Sequence, residues 1–551
     1  MGGSARPRPT SGAPPSCSRP AWSSISPPKN RPSNGTWTPT VAESFLYKSA
    51  WEQADALAPA GRPLKDLIGE IRDLYLEDDR PWVIGFSGGK DSTAVLQLVY
   101  AAVLSLPAGK RDKRIFIVSS DTLVETPVVV DLLGQTLATL DRTAAAADVP
   151  LATHQVTPPE NQTFGVNLLG RGYPAPTKAF RWCTERMKIN PVNAFILDKV
   201  AEYGEAVVVL GARSAESATR AQVIAKHRVN GSRLGRHTSL PNAYVYTPID
   251  DWTADEVWEY LMSAPRPWGG DNRALLDLYR GSNAGECPIV IDTSTPSCGN
   301  SRFGCWTCTV VTKDKAMESL VEQGEAWMKP LLEFRNLLAE TTRPDRKREF
   351  RNYRRRTGKV SFARGGIQDD GDGNRVRKHV PGPYWMRYRR EWLERLLVLQ
   401  RELRAAGHDI ELVTGQELHH IRREWLNDPN EPDWADHLPA IYRRVFGEDL
   451  DWTHHDAGTF TSADEEVLAD LGVKHDVPPT LVRKLLDLEL SMDGLARRRG
   501  MAERIRSILT EEWQPLHVVL EQGERERDGG FQDEIDRLQE ALGALDDGDD
   551  A

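Results

Sequence analysis

"GFSGGKDSTAVLQL", residues 85–98, is the stretch that decides the fold. It follows "PWVIGF" (81–86), a short apolar run of the kind that forms a buried strand. It runs into "STAVLQLVYAAVL" (92–104), where apolar residues recur at helical spacing. Ser87-Gly88-Gly89-Lys90-Asp91-Ser92 therefore sits on a strand-to-helix turn. Amides at a helix N-terminus lack partners and attract anions. Gly88 and Gly89 let backbone approach phosphates closely, Ser87, Ser92 and Thr93 can donate hydroxyls, and Lys90 adds positive charge. The stretch lacks the first glycine of a G-x-x-x-x-G-K-[ST] loop.

"RIFIVSS" (114–120) and "AVVVLGA" (206–212) read as further central strands, and 126–140, 190–204 and 253–262 as helices. Buried strands alternating with helices predict an α/β fold, a parallel sheet flanked by helices, with ligands at the carboxyl ends of the strands. The motifs fall there. In "SSDTLVETP", Asp121 and Thr122 offer a carboxylate and a hydroxyl for ribose or Mg2+, or alternatively for helix capping. Glu125 is expected to begin or cap the next helix. In "TKAFRWCTERMKINPV", Arg181, Arg186 and Lys188 surround Cys183. Cations lower a thiol's pKa, which suits a metal ligand or sulfur nucleophile. A buried inert cysteine is the bland reading. "LGARSAESATRA" places Gly211 after a strand, then Arg213 and Arg220, whose forked donors match phosphate or sulfate or simply coat a helix. Thr253 with Glu256 forms a capping box, and Trp252, Val257 and Trp258 are core candidates.

"ECPIVIDTSTPSCGNSRFGCWTC" carries Cys287, Cys298, Cys305 and Cys308, spaced C-x10-C-x6-C-x2-C. Four thiolates suffice for one metal shell, and spacing leaves zinc and iron–sulfur both open.

The 551 residues allow two to four domains. We expect a disordered tail over 1–43, a nucleotide domain with its cysteine segment over 44–316, a mostly helical extension over 317–523 and a flexible acidic tail over 524–551. "FARGGIQDDGDGNR" (362–375) is an interruption or a glycine-tipped hairpin, and 478–513 holds a pair of amphipathic helices. No apolar run reaches the roughly 18 residues of a membrane span, no secretory h-region is seen, and six cysteines make no disulfide scaffold; the expectation is a cytoplasmic protein without a membrane partner. The net charge is −10, yet residues 341–404 carry nineteen Lys or Arg against eight Asp or Glu. "RPDRKREFRNYRRR" (343–356) interleaves cations with aromatics, as a nucleic-acid surface does, which nominates Arg354, Arg355 and Arg356 for DNA. A solvated or protein-docking face is the alternative.

SGGKDS resembles the PP-loop of ATP pyrophosphatases, which implies ATP cleaved between its α- and β-phosphates. Together with the DT-x-x-E, R-x-C-x-x-R, GARSAES-x-x-R and PIDDW-x-x-x-EVW segments it resembles, over about residues 80–265, the PAPS reductase family of adenine-nucleotide α-hydrolases. Some of those reductases carry a cysteine pair where this sequence has Trp182-Cys183. The cysteine segment and basic extension resemble, over about residues 45–500, the DndC sulfurtransferase family of DNA phosphorothioation. That resemblance implies ATP, Mg2+ and a [4Fe-4S] cluster as cofactors, the cluster on Cys287, Cys298, Cys305 and Cys308. It makes Cys183 either a fifth thiol that receives sulfur or a ligand displacing one of the four. It implies catalytic roles for Lys90, Asp91 and Cys183, ATP contacts from Ser87–Ser92, Asp121, Thr122, Gly211 and Arg213, and substrate-phosphate contacts from Arg181, Arg186, Lys188 and Arg220. DNA, a cysteine desulfurase as sulfur donor and other phosphorothioation proteins are the implied partners. A PAPS or APS reductase, a tRNA thiolation enzyme and a nucleotide sensor are the rival readings; the first wants a redox thiol pair or mobile cysteine, and none follows Cys308 here.

Overall fold

The computed structural model describes residues 57–216, 233–282, 304–369, 375–452, 462–491, 500–514 and 516–520. The expected tails at 1–43 and 524–551 lie outside these, as do Cys287, Cys298 and Arg220. The apolar run at 81–86 forms strand β1 (Trp82–Gly85), which pairs in parallel with β2 (Ile115–Ser120) on one side and β4 (Ala206–Val209) on the other. Strand β3 (Leu151–Val156) lies outside β2, and β6 (Ala243–Tyr246), then the short antiparallel β5 (Gly235–Arg236), lie outside β4. The order 3-2-1-4-6-5 reverses direction between β1 and β4. Loops leaving the carboxyl ends of two such strands diverge and open a crevice. The SGGKDS turn leaves β1, and Gly211-Ala212-Arg213 follows β4.

Side chains alternate across each strand. Trp82, Ile84, Ile115, Ile117, Val207 and Val209 point to one face, under helices α1 (Leu64–Leu76), α2 (Lys90–Leu104), α3 (Pro127–Ala146), α5 (Ala254–Ser263) and α6 (Arg273–Ser282). Val83, Phe116, Val118 and Val208 point to the other, under Ile196 of α4 (Asn190–Tyr203). Helix α2 is buried all round, as an uninterrupted apolar helix should be. The capping box at Thr253 and Glu256 starts α5 as expected. Glu125 does not cap α3; Thr126 and Pro127 begin that helix, and Glu125 is held elsewhere, as described below.

The extension supplies α7 (Lys315–Glu322), α8 (Lys329–Glu340), α9 (Met386–Ala405), α10 (Gly415–Leu426) and α11 (His437–Phe446), followed by α12 (Ser462–His475), α13 (Pro479–Ser491) and α14 (Met501–Leu509). The glycine-rich interruption is a hairpin, β7 (Phe362–Asp369) with β8 (Arg375–His379). The extension shares a core with the sheet domain: Phe164, Leu168, Leu169, Trp182, Met187 and Trp306 pack with Phe334, Trp392, Ile421 and Trp425. Residues 166–170 form a π-helical turn, whose last carbonyls have no partner within the turn. The extension satisfies them. Trp425 Nε1 donates to Leu169 O at 2.7 Å, and Arg389 Nη1 donates to Gly170 O at 2.7 Å.

The same packing bears on Arg354, Arg355 and Arg356, the residues nominated for DNA. Arg354 is buried, with its guanidinium over the rings of Tyr353 and Trp513. Arg355 donates to Pro381 O at 2.9 Å. Arg356 donates to Arg171 O at 2.9 Å and pairs with Glu424 at 3.3 Å. Arg354 is buried and donors of Arg355 and Arg356 are engaged inside the protein, and the aromatics Phe350, Tyr384 and Trp392 of the same segment are core. Among the described residues no helix is long and apolar enough to cross a membrane.

Arg389 and Asp428 form a fully buried pair at 2.8 Å. Burial alone would raise the Asp428 pKa, but Arg389, the amides of Glu431 and Asn430, and Arg356 hold it below the ordinary carboxylate value. Removing one partner of such a pair costs about 3–5 kcal/mol. Arg389→Met should lose stability of that order in urea denaturation at neutral pH, and the double variant with Asp428→Leu should recover part of it. Because the folded-state pKa is depressed, the stabilisation from Asp428 is present above the unfolded carboxylate pKa and is lost as pH falls through the folded value. The gap between wild type and the double variant should therefore narrow in acid.

Candidate active site: a phosphate loop beside three thiols

Gly88 adopts φ +70°, a left-handed conformation that favours glycine. It turns the chain so that Gly89 becomes the N-cap of α2 with no side-chain cap. Ser92 Oγ donates to Gly89 O at 3.0 Å and lies 3.2 Å from Ser87 Oγ, bracing the loop. The Lys90 amide donates to the Tyr279 hydroxyl of α6 at 3.3 Å.

Behind the loop, Asp91 bridges two buried cations. Its Oδ2 lies 2.7 Å from Lys90 Nζ and its Oδ1 lies 2.7 Å from Arg213 Nε. Arg213 reaches Asp91 because Gly211 brings the β4 exit against α2. A Cβ on Gly211 would come within 2.7 Å of the Asp91 carbonyl and 2.9 Å of the Ser92 nitrogen. Gly211 thus acts through backbone approach.

A cavity of about 320 Å³ opens at this crevice, at the lower end of the roughly 300–1,000 Å³ common for small-molecule sites. Ser87, Gly88, Gly89, Asp121 and Lys188 line it, with Glu125, Gly304, Arg266 and Tyr279. Burial pushes the Asp121 carboxyl up, with Glu125 adding to the rise. A cation would favour its charged form.

The far wall is built from the cysteine segment. Thr126 N and Oγ1 both donate to Gly304 O, at 2.8 and 2.6 Å, and Trp306 N donates to Val124 O at 2.9 Å. These bonds lay Cys305 antiparallel to Glu125. Thr122 is buried; its hydroxyl donates to Glu125 Oε1 at 2.9 Å and lies 3.3 Å from Cys305 Sγ. It serves this wall and does not line the cavity. Lys188 Nζ pairs with Glu125 Oε1 at 3.0 Å. Burial alone would lower the Lys188 pKa, but Cys305, Glu125 and Cys183 raise it.

Cys183 opens a second π-helical turn, Thr184–Ile189. An i→i+5 turn brings residues five apart to one side, as Cys183 and Lys188 are. Cys183, Cys305 and Cys308 are free thiols, and Cys308 interacts electrostatically with each of the other two. The expected lowering of the Cys183 pKa is corrected: burial, then Cys308, push the thiol up, outweighing the opposite effects of the Thr184 hydrogen bonds and Lys188. Burial likewise raises Cys305, with Glu125 adding to it. Arg181 is exposed, and Arg186 donates to Gln162 Oε1 at 2.5 Å over the Tyr173 ring; neither lines the cavity. Among the described residues no group of three or more His, Cys, Asp or Glu closes on a common metal position.

Behind Cys308 stands a cation that no motif marks. Arg335 of α8 is fully buried and donates to the carbonyls of Cys308 at 2.8 Å, Thr312 at 3.1 Å and Val311. Arg266 and Tyr279 are likewise unmarked, because "RPWGGDNRALLDLYR" carries no recognisable signature.

Residues 81–310 match the family described as the phosphoadenosine phosphosulfate reductase domain, so the chain carries a PAPS reductase-like domain. An uncharacterised protein of Methanocaldococcus jannaschii is 26% identical over 228 residues, 40% of this chain; the match spans 41% of that relative's length. Among solved structures, a PAPS reductase of Candida auris in complex with phosphate aligns with 44% of this chain and 95% of its own, at 15% identity and a TM-score of 0.25. The U34-tRNA thiolase NcsA of Methanococcus maripaludis, with its [4Fe-4S] cluster, aligns with 41% of this chain and 76% of its own, at 13% identity and a TM-score of 0.24.

Arg335 carries the geometry of the segment after Cys308. Arg335→Leu orphans buried carbonyls at about 1–3 kcal/mol each. It should lower the melting temperature and speed alkylation of Cys305 and Cys308, read by mass spectrometry. Unchanged melting and unchanged labelling would remove Arg335 from this role.

Proposed function

We propose that the chain is an ATP-dependent sulfurtransferase that adenylates a DNA backbone phosphate and replaces one of its non-bridging oxygens by sulfur. The observation that carries the reading is a shared cavity. Phosphate-loop residues Ser87, Gly88 and Gly89 line it together with Glu125, Lys188 and Gly304, and Cys305 adjoins Gly304 and Glu125. On this reading nucleotide activation in the cavity lies next to the wall that carries the sulfurs.

In the first step a non-bridging oxygen of the acceptor phosphate attacks the α-phosphorus of ATP. A P–O bond forms, the α–β anhydride bond breaks and pyrophosphate leaves. Loop amides stabilise charge developing on the leaving group, and Lys90 adds positive charge from behind the loop. Asp121 is the carboxylate placed to meet the Mg2+ that accompanies ATP. In the second step a sulfur nucleophile attacks the activated phosphorus, P–S forms and AMP departs. With a persulfide donor from a cysteine desulfurase, a second thiol then cleaves the S–S bond and is left as a disulfide. Two moderate displacements replace one difficult one.

The thiol-rich donor set has the chemistry of an iron–sulfur site. Cys305 and Cys308 are its described members, Cys287 and Cys298 complete the proposed ligand set, and Cys183 is adjacent. The cluster, when bound, supplies soft sulfur coordination beside the cavity. This chain's own residues orient the wall: Thr126 and Trp306 fix the backbone, and Lys188 sets positive charge against the sulfurs.

The test is product analysis. Purified protein with ATP, Mg2+ and duplex DNA should yield AMP and pyrophosphate, and Asp91→Ala, which releases Lys90 and Arg213 from their bridge, should cut this by about 100-fold or more. Digested DNA from cells with the complete system should contain phosphorothioate dinucleotides that vanish with Asp91→Ala. ADP as the product, or sulfite from PAPS with unmodified DNA, would overturn the reading.

A further inference from the structure

We infer that Arg266 is a pyrophosphate clamp, a fixed cation lining the same cavity as the phosphate loop that selects a nucleoside triphosphate as the substrate; this rests on the ATP reading above. Four charged side chains line the cavity: Asp121, Glu125, Lys188 and Arg266. Lys188 is paired with Glu125, while Lys90 and Arg213 behind the loop both grip Asp91. Among the described residues, Arg266 is the lining cation with no carboxylate at ion-pair distance. Asp271, the nearest acid to act on it, pairs with Arg273 at 3.5 Å. Without Arg266 the lining would carry a net negative charge and repel a polyanion.

The guanidinium is held in place. Its Nε donates to Asn272 Oδ1 at 2.7 Å, and Asn272 is buried. Asn272 Nδ2 donates to Leu261 O at 2.8 Å, and Gln97 Nε2 of α2 donates to the same Oδ1 at 3.1 Å. The helix that carries the phosphate loop therefore also anchors Arg266. Trp268, two residues on, is buried edge-to-face against Tyr100 of the same helix, at 6.0 Å. With Nε committed to Asn272, the terminal nitrogens remain as a fork for phosphate oxygens. Burial lowers the Arg266 pKa, so an arriving anion relieves a desolvated charge. A triphosphate that lays its β- and γ-phosphates between loop amides and this fork would meet donors from two sides.

The experiment titrates the full chain with pyrophosphate, AMP and adenosine 3′,5′-bisphosphate by calorimetry, for wild type, Arg266→Ala and Arg266→Lys. Arg266→Ala should weaken pyrophosphate about 10- to 100-fold, with Arg266→Lys intermediate and AMP unchanged. Gln97→Met, which leaves the guanidinium but removes support from its anchor, should give a smaller loss in the same direction. Circular dichroism and melting confirm that each variant folds. Equal loss for AMP and pyrophosphate, no loss at all, wild type that does not bind pyrophosphate, or tighter Arg266-dependent binding of the bisphosphate would each overturn the clamp. Arg266-dependent pyrophosphate binding in a protein that releases none from ATP sinks the adenylation reading and leaves the clamp standing. Pyrophosphate release that is indifferent to Arg266→Ala does the reverse.

Discussion

The bridge of Asp91 between Lys90 and Arg213 is the constraint on which the site depends. Two cations buried this deeply would each be costly alone. One carboxylate serves both, leaves the trio with a net positive charge, and sits in the first turn of α2, where negative charge is favoured by the helix dipole. The bridge also joins separate parts of the chain. Lys90 and Asp91 follow β1, Arg213 follows β4, and the two strands lie side by side at the reversal of strand order. Their approach requires Gly211, against which any Cβ would strike the backbone of Asp91. Fold topology, a glycine and an ion-pair geometry thus form a single condition.

The extension looks peripheral in the sequence and is not so in the fold. Its helices complete the core behind the cysteine wall, and Arg335 fixes the carbonyls that follow Cys308. This explains why its charge misleads. Part of the positive excess between residues 341 and 404 is answered by acids beyond that window: Glu424 and Asp428 for Arg356, Asp428 for Arg389, and Asp433 for Arg390. A window count sees cations without the partners that folding brings to them. Arg343, Arg348, Lys359, Lys378, Arg387, Arg395, Arg401 and Arg404 are exposed, with Arg343 already paired to Asp345 and Arg404 to Glu411.

The parts of the molecule that were legible in the sequence are those whose cause is local. A continuous apolar run marks β1 and β2, Gly88 marks a left-handed turn, and Thr253 with Glu256 marks a helix start. Strand β3 was not apparent, because "LATHQV" lies at the sheet edge and keeps polar residues along a half-buried surface. The π-helical turns at 166–170 and 184–189 have no sequence period of their own; the extension holds the first by taking up its carbonyls. Cys183 illustrates the same limit. Neighbouring cations were visible at Arg181, Arg186 and Lys188, but the burial that outweighs them comes from tertiary packing.

Lys188 gives the two ends of the cavity a shared charge balance. It pairs with Glu125, lines the space that the phosphate loop opens onto, and acts electrostatically on Cys305 and Cys183. A polyanion entering the cavity competes with Glu125 for this ammonium. Whatever positive charge the ligand draws off is charge removed from the sulfurs, while Glu125, released, is left against Cys305 at 3.7 Å. One side chain thus serves both the cavity and the wall that carries the thiols.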